Sequence, residues 1–320
     1  MSLPLAPPIA PELALSRASL PDGPEWVYEI KLDGFRAIAF VDGDEQFLQS
    51  RNGRPLGRYF PELVFPAGRY VIDGEVVVRD AAGREDFNAL GQRIHPARSR
   101  VEMLAEQTPA VFVAFDLLAV EDDVWLARPF CERRVALEAL AGRPEFGGAP
   151  VELMVTAPTA AQAEHWLTSA EGVIAKQRDA PYLAGERRGM VKVKRVRTAD
   201  AVVMGWRPGK EQDTVGALIL GLYEHDGRLR EVGHCSGLTA ARKRELVGEL
   251  RPYETGERGS GEPSRWTAGR ELEWVALRPE LVVEVSFDHV SAGRIRHGSK
   301  LLRWREDKPA RECTVDQLDA

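Results

Sequence analysis

The chain has 320 residues, with 43 lysines and arginines against 49 aspartates and glutamates, a formal net charge of −6 and 44% hydrophobic residues. These values are ordinary for a globular protein and exclude the fibrous, disordered and membrane-embedded classes. The best apolar run, VFVAFDLLAV, is too short for a bilayer span and carries Asp116 in its middle. At roughly 100–200 residues per domain, the length predicts about two domains.

The N-terminal segment MSLPLAPPIAPELALS lacks the basic start and the long apolar stretch of a signal peptide. The cysteines, Cys131, Cys235 and Cys313, lie far apart, and none forms a Cys-x-x-Cys pair or has a histidine at zinc-ligand spacing. We therefore expect a soluble cytoplasmic protein without membrane contact, structural disulfides or a zinc site. Nothing in the sequence argues against a monomer.

Strand-like runs alternate with a few helical stretches from residue 25 to about residue 194. The strands are rich in β-branched residues and their connections vary in length, which favours an α+β domain with antiparallel or mixed sheets over regular βαβ alternation. The predicted strands are WVYEIKL, FRAIAF, RYVIDGEVVV, VFVAFDLLAV, GVIAKQ and MVKVKRV, and the predicted helices are PFCERRVALEALAG and TAAQAEHWLTSA.

The pattern changes after RVRTAD to short strands with one helix, TAARKRELVGEL, for which Thr239 is a plausible N-cap. About five strands with a single helix in the middle of the order are typical of a small Greek-key barrel of the OB type. We therefore predict two domains, 1–198 and 199–320. Residues 252–269 are rich in Gly, Glu, Pro and Ser, and this composition predicts an exposed loop within the second domain.

Two segments are strongly basic although the whole chain is acidic. Residues 186–210 carry eight lysines and arginines against two acids, and residues 293–311 carry seven against two. A charge run is usually a solvated face, but net charge averages over surfaces that a ligand meets one at a time. The two segments are candidates for binding a polyanion, and His297 in the second is a candidate phosphate contact.

The motif EIKLDGFR places Lys31 at the end of a predicted strand, followed by Asp33 and Gly34. Asp-Gly is a common turn sequence, so the motif could serve only to reverse the chain. The functional interpretation is that Lys31 is a nucleophile. The reference pKa of lysine is near 10.4, so only about one lysine in a thousand is unprotonated, and therefore nucleophilic, at neutral pH. Such a lysine needs nearby cations, a metal or burial to lower its pKa.

Further candidates lie in the other strands. Lys192 and Lys194 alternate with apolar residues and share one face of their strand, so they form either an electropositive pocket or the exposed face of an edge strand. Glu75 and Glu171 each adjoin a glycine, and either could form a salt bridge or bind Mg²⁺. Phe115 is either a core residue or an aromatic platform for a purine.

The order of the motifs is more specific than any of them alone. It closely resembles the successive motifs of the covalent nucleotidyltransferases, the superfamily of DNA ligases, RNA ligases and mRNA capping enzymes, over residues 29–311. Within it the sequence is most similar to the ATP-dependent DNA ligases of the bacterial C class (LigC), and next to the ligase module of the D class. The motifs are EIKLDGFR, SRNGR, VIDGEVVV, FNALGQR, FVAFDLL, EGVIAK, MVKVKR and LLRWREDKPARE.

The resemblance implies a nucleotidyltransferase domain followed by an OB-fold domain, with ATP and Mg²⁺ or Mn²⁺ as cofactors. Lys31 would attack the α-phosphate of ATP and hold AMP as a phosphoramidate. Phe115 would stack on adenine, whose edge the backbone near Glu29 would read. Glu75 would hold the ribose hydroxyl or a metal, and Glu171 would support a catalytic metal.

The remaining implied roles belong to cations. Arg36 would contact the nucleotide or a DNA phosphate, and Arg51 would bind near the ribose and later help to position the 3′-hydroxyl. Three lysines would neutralise the phosphates: Lys176, Lys192 and Lys194. Four residues of the last motif would orient the departing pyrophosphate: Arg303, Arg305, Asp307 and Lys308.

The implied substrate is nicked duplex DNA, bound through its phosphates without sequence specificity, and the implied process is DNA repair. Protein partners are not fixed by the sequence, and a repair polymerase is one candidate. An RNA ligase or a GTP-using capping enzyme is the alternative within the superfamily. A nick-binding scaffold without catalytic activity is the alternative from another class. The nucleotide that is used and the end that is joined separate the enzymes: ATP with a 5′-phosphate DNA nick, ATP with an RNA end, or GTP with a 5′-diphosphate RNA.

Overall fold

The computed structural model describes residues 2–195, 197–260, 273–288, 290–291, 293–295 and 298–318. The chain divides into two units, Met1–Arg195 and Val196–Ala320. The candidate His297 lies outside the described residues, as does the part of the predicted loop that follows Ser260.

The first unit combines two sheets with short helices. Its strands are β1 Leu15–Ser16, β2 Trp26–Ile30, β3 Phe35–Gly43, β4 Glu45–Ser50, β5 Gly68–Val78, β6 Ala110–Val120, β7 Asp123–Val124, β8 Val151–Leu153, β9 Thr156–Ala157, β10 Gly172–Gln177 and β11 Met190–Lys194. Its helices are α1 Phe87–Gln92, α2 Arg98–Gln107, α3 Phe130–Ala141, α4 Ala160–Ala163 and α5 Trp166–Ser169, with 3-10 turns at Gly57–Tyr59 and Pro144–Phe146.

One sheet has the strand order β1-β11-β10-β2-β9, and the other has the order β4-β3-β5-β6-β7 with β8 beside β6. The pairs β1–β11 and β6–β8 are parallel and the other pairs of these two sheets are antiparallel. β5 and β6 are buried along most of their length, which explains why their sequences read as continuous apolar runs. All six strands predicted in this unit are confirmed.

One predicted helix is divided in two. The sequence TAAQAEHWLTSA forms α4 and α5, with Glu164 and His165 between them. The hydroxyls of Thr168 and Ser169 both donate to the backbone carbonyl of His165, at 2.9 and 3.0 Å. Hydroxyl side chains that bind nearby carbonyls compete with the backbone ladder of a helix, and the periodicity of the apolar residues does not reveal this competition.

The second unit is a curled sheet with one α-helix among its described residues. Its strands are β12 Arg197–Pro208, β13 Val215–Tyr223, β14 Leu229–Cys235, β15 Glu254–Ser260, β16 Glu273–Leu277, β17 Val282–Phe287, β18 Val290–Ser291, β19 Arg294–Ile295 and β20 Lys300–Trp304. The helix is α6 Ala240–Leu250, and 3-10 turns lie at Arg251–Tyr253, Ala310–Glu312 and Val315–Leu318.

The long strand β12 organises this sheet, because it pairs with β13 on one side and with both β16 and β17 on the other. The side chain of Thr239 accepts a hydrogen bond from the backbone of Arg242 and caps α6, as predicted. The core of the unit contains Cys235 and Cys313, and these cysteines and Cys131 are free thiols.

The prediction of a loop over residues 252–269 is wrong for its first part. Glu254–Ser260 is a strand that pairs antiparallel with β16, with an irregularity in register between Glu254 and Arg258. Its sequence, ETGERGS, carries no alternation of apolar and polar residues, because the strand lies at the edge of the sheet and buries little. Within the described part of the chain, no helix is long and apolar enough to cross a membrane.

Candidate active site

A cavity in the first unit collects most of the residues that the sequence singled out. Its walls come from the N-terminal segment, the end of β2, β3, β5, β6, β10 and β11. Eight of the predicted site residues line it: Glu29, Lys31, Arg36, Arg51, Glu75, Phe115, Lys176 and Lys192.

Lys31 follows the last residue of β2, and its backbone N–H donates to the carbonyl of Gly172 at 2.9 Å. Its side chain is 19% exposed, and Nζ lies 3.7 Å from Oε1 of Glu171. The turn after it is tightly packed, because a Cβ on Gly34 would lie 2.4 Å from the carbonyl oxygen of Val76. Asp33 and Gly34 therefore do turn the chain, and the same turn places the Lys31 amine in the cavity.

Cations gather at the Lys31 end of the cavity. On β11, Lys192 and Lys194 are half-buried and alternate with buried valines, so they share one face as predicted. The Nζ atom of Lys194 lies 3.9 Å from Oε1 of Glu171. Burial lowers the pKa of Lys192, and the charges of Lys194 and Lys31 lower it further. β11 lies between β10 and the short β1, so this basic face does not belong to an unpaired edge strand.

Arg51 joins the same end from the loop after β4. Its backbone N–H donates to the carbonyl of Arg36 at 3.1 Å, which fixes the start of the loop against β3. The Arg51 charge also acts to lower the pKa of Lys192. Loop and strand residues that are 15 positions apart in sequence thus contribute to one electropositive surface.

Glu75 lies on β5 directly opposite Arg36 in the β3–β5 register. Burial raises the pKa of Glu75 to about 7, against the opposing influence of the Arg36 and Lys31 charges. Among the described residues, no group of three or more His, Cys, Asp or Glu side chains is placed to hold a metal ion. Glu75 or Glu171 would thus serve Mg²⁺ with one carboxylate, and phosphate oxygens and water would complete the shell, which is how that ion is commonly bound.

Phe115 on β6 contributes an aromatic ring to the cavity wall. The guanidinium carbon of Arg36 lies 4.4 Å from the centroid of the Phe115 ring, and Nζ of Lys176 lies 4.5 Å from it. Lys176 is buried and donates to Oε1 of Glu29 at 2.9 Å and to the carbonyl of Phe115 at 3.2 Å. Its ammonium group is thus held beside the Phe115 ring, and its predicted contact with the phosphates stays a prediction.

The sequence did not identify three residues that complete the site. Asp73 accepts two hydrogen bonds of 2.6 Å from Arg36, and its Oδ2 also accepts one of 2.6 Å from the hydroxyl of Tyr182. Glu12 lines the cavity from the N-terminal segment. The sequence did carry a signal for Asp73, since a carboxylate inside a run of buried strand residues needs a partner. It carried no such signal for Tyr182 or Glu12, because both lie in irregular segments far from the motifs.

The last motif lies in the second unit, where its charges are paired locally. Nη1 of Arg305 lies 2.7 Å from Oδ1 of Asp200, and Nε lies 3.0 Å from Oδ1 of Asp307. Arg303 contacts Glu284 at 2.6 Å, and Lys308 contacts Glu312 at 2.8 Å. The structure brings Arg305 and Asp307 together, and their predicted role toward pyrophosphate stays a prediction.

Comparisons with known proteins identify the family. The family model described as ATP dependent DNA ligase domain matches residues 11–194, and the one described as ATP dependent DNA ligase C terminal region matches residues 211–308. The chain is 47% identical to DNA ligase C1 of Mycolicibacterium smegmatis and 44% identical to DNA ligase C of Mycobacterium tuberculosis. In both cases all of the chain and 96% of the relative are covered.

The chain belongs to the ATP-dependent DNA ligases. The C-class resemblance is confirmed, and the D class is also similar, at 34% identity to the protein LigD of Pseudomonas aeruginosa, which covers 97% of this chain and 37% of that protein. The crystal structure of the ligase domain from M. tuberculosis LigD is similar in fold, with a TM-score of 0.54 and 29% sequence identity. The match covers 96% of this ligase chain and 98% of that chain. The predicted fold class, a nucleotidyltransferase domain followed by an OB-fold domain, is confirmed.

Proposed function

We propose that this ligase seals nicks between a 5′-phosphate and a 3′-hydroxyl in duplex DNA through a lysyl-AMP on Lys31. The observation that carries the proposal is that Lys31 lines one cavity together with several cations and the aromatic ring of Phe115. A nucleoside triphosphate is complementary to such a cavity, because its base is flat and apolar and its phosphates are anionic.

Three transfers follow from this assignment. The Lys31 amine attacks the α-phosphorus of ATP, a nitrogen–phosphorus bond forms, the amine loses a proton, and pyrophosphate leaves. A 5′-phosphate oxygen at the nick then attacks the same phosphorus and releases Lys31. Finally the 3′-hydroxyl attacks the 5′-phosphorus, loses its proton and releases AMP. Transfers of this kind depend on positioning and charge stabilisation, which the cavity residues supply.

The side chains around Lys31 have matching roles in this scheme. Lys192, Lys194 and Arg51 stabilise the phosphate charges, since Lys192 and Arg51 line the cavity and Lys194 shares a strand face with Lys192. Glu171 lies within 4 Å of two of the lysine amines and keeps them at this position. A divalent metal held by Glu75 or Glu171 would neutralise charge on the phosphate oxygens.

DNA would be held through its backbone by the two basic segments, 186–210 and 293–311. Contacts of this type are salt-dependent and carry no sequence preference. The relatives described above are bacterial ligases. We place the reaction in the bacterial cytoplasm, on nicks left by repair, with a monomer as the acting species and a repair polymerase as a candidate partner.

The experiment is to incubate the protein with a divalent metal and α-labelled ATP or GTP, denature a sample, and chase the remainder onto nicked DNA. Label from ATP alone, discharged onto the nick with sealing, would support the proposal. A Lys31→Ala variant should take up no label, whereas Lys243→Ala, which removes a lysine of α6 outside both basic segments, should behave as the wild type. Label from GTP would indicate a capping-type transferase, and label from neither nucleotide would favour a nick-binding scaffold.

A further inference from the structure

One wall of the cavity is a segment without regular secondary structure. Residues 8–14, called the strap below, belong to no helix or strand. Four of them line the cavity: Pro11, Glu12, Leu13 and Ala14. A wall made of a helix or a strand is held by a ladder of backbone hydrogen bonds, which the strap lacks. Its position therefore depends on single hydrogen bonds from other elements.

The side chain of Gln49 on β4 holds the first part of the strap. Gln49 is 0% exposed, its Oε1 accepts the backbone N–H of Ile9 at 2.9 Å, and its Nε2 donates to the carbonyl of Ile9 at 2.7 Å. One buried amide thus satisfies both backbone groups of one residue, as a neighbouring strand would. The Ile9 side chain also packs against an apolar cluster that includes Phe40 and Tyr182.

The strand that carries Gln49 leads directly into the turn that carries Arg51, which lines the cavity. The strap packs against this turn, because a Cβ on Gly53, where φ is +75°, would lie 3.2 Å from Cβ of Pro8. Gln49 therefore fixes the strap at the point where it meets the loop that brings Arg51 to the cavity.

The far end of the strap is tied to the other sheet. The backbone N–H of Leu13 donates to the carbonyl of Glu186 at 2.8 Å. β1 follows the strap directly and pairs with β11, the strand of Lys192. The strap thus runs from the turn of Arg51 to the strand of Lys192 and lines the cavity on its way.

We propose that Gln49 is a positioning residue for the nucleotide, because it holds the strap in place as a wall of the cavity. Gln49 is not among the described residues that line the cavity, so it acts through Ile9 and the strap. Without the amide, both backbone groups of Ile9 lose their partner, and the strap is in the binding-competent position for only part of the time. The apparent affinity of a ligand falls in proportion to that fraction.

The inference rests on the proposed function, and its first test measures the initial rate of lysyl-AMP formation by intact-protein mass spectrometry. Gln49→Leu keeps a similar side-chain volume and removes both hydrogen-bonding groups. We expect KM for ATP to be about tenfold higher than in the wild type and kcat to stay within about threefold, because the reacting groups around Lys31 are unchanged once the nucleotide is bound.

Glu62→Gln is the matched control for lost stability. Glu62 belongs to the same unit and pairs at 2.7 Å with the buried Arg93, and neither residue is among those that line the described cavity. This variant should be less stable than the wild type and keep the wild-type KM for ATP.

A second measurement needs no variant. Hydrogen–deuterium exchange of the wild type would be followed with and without α,β-methylene-ATP, whose bridging carbon prevents transfer of AMP to Lys31. We expect the analogue to slow exchange of the backbone amides of residues 9–14. In Gln49→Leu without nucleotide, exchange in the same residues should be faster than in the wild type, while the rest of the first unit keeps its wild-type exchange.

A KM for Gln49→Leu within twofold of the wild-type value would overturn the inference, and so would an equal rise of KM in Glu62→Gln. If Gln49→Leu does not fold, the wild type decides: exchange in residues 9–14 that the analogue leaves unchanged would overturn the inference. A wild type that binds the analogue but forms no lysyl-AMP with ATP would instead refute the proposed function, and the exchange of the strap would still be measurable.

Discussion

The ion pair between Arg36 and Asp73 holds the cavity-lining guanidinium in place, and its removal should be costly. Asp73 is 0% exposed and accepts two hydrogen bonds of 2.6 Å from Arg36, whose side chain is 21% exposed. Burial by itself disfavours the charged form of Arg36, but the Asp73 charge and hydrogen bonds outweigh it and raise the Arg36 pKa. Asp73→Asn would leave a half-paired guanidinium in this buried site.

Breaking one partner of a buried ion pair costs about 3–5 kcal/mol. The asparagine keeps one acceptor and Arg36 keeps some contact with solvent, so we expect a loss of about 2–3 kcal/mol in the free energy of unfolding. For a unit of this size that corresponds to a decrease of roughly 4–12 °C in Tm. Thermal unfolding of the full-length protein, followed by calorimetry at pH 7, would measure it.

Tyr182→Phe is the control, because it keeps the Arg36–Asp73 pair and removes a hydroxyl that donates to Asp73 at 2.6 Å and accepts the backbone N–H of Glu12 at 3.1 Å. It should cost about 1–2 kcal/mol. A loss below about 0.5 kcal/mol for Asp73→Asn, or a larger loss for Tyr182→Phe than for Asp73→Asn, would refute the reasoning, because Arg36 would then be satisfied by other groups.

Three further predictions concern other parts of the ligase. Burial raises the pKa of Glu12 from 4.5 to about 7, so between these pH values the folded chain holds a proton that the unfolded chain has released. The free energy of unfolding should therefore fall as pH rises from 4.5 to 7, by at most about 3 kcal/mol. Urea titrations should show that the free energy of unfolding of Glu12→Gln depends less on pH over this range. Arg305→Ala should impair formation of lysyl-AMP more than sealing of a nick that is already adenylated, if Arg305 orients pyrophosphate; equal loss in both rate assays would contradict that role. Thr239→Ala should destabilise the second unit by about 1 kcal/mol through loss of the α6 cap, and chemical denaturation that shows no change would indicate that the helix end is held by packing alone.

Many of the residues at the cavity could be predicted because each lies in a short local pattern. Lys31 precedes an Asp-Gly turn, Lys192 and Lys194 alternate along a strand, and Glu75 lies in a run of buried residues. Local patterns of this kind depend on the strand period and on turn chemistry, which are properties of neighbouring residues. Their ordered succession was enough to identify the family, and the comparisons confirm it.

Residues whose importance arises from distant contacts could not be found in the same way. Tyr182 reaches Asp73 across 109 positions of sequence. Lys176 and Glu29 were both candidates, but their ion pair across 147 positions was not predicted. The strand β15 was also missed, since its polar residues lie at the edge of a sheet and carry no apolar alternation. In each case the decisive interaction depends on which strands become neighbours, and no local period records that choice.

The sequence by itself thus determined the family, the fold class and eight of the side chains that line the cavity, because motif spacing and strand periodicity are local. Only the tertiary structure decided how those side chains are paired: Lys176 with Glu29, and Arg36 with Asp73. It also leaves Oε1 of Glu12 without a hydrogen-bond partner among the described residues. The physical reason is that burying a charge or an acceptor costs free energy unless a partner compensates for the lost water. Sheet order and burial determine which partner folding brings next to it.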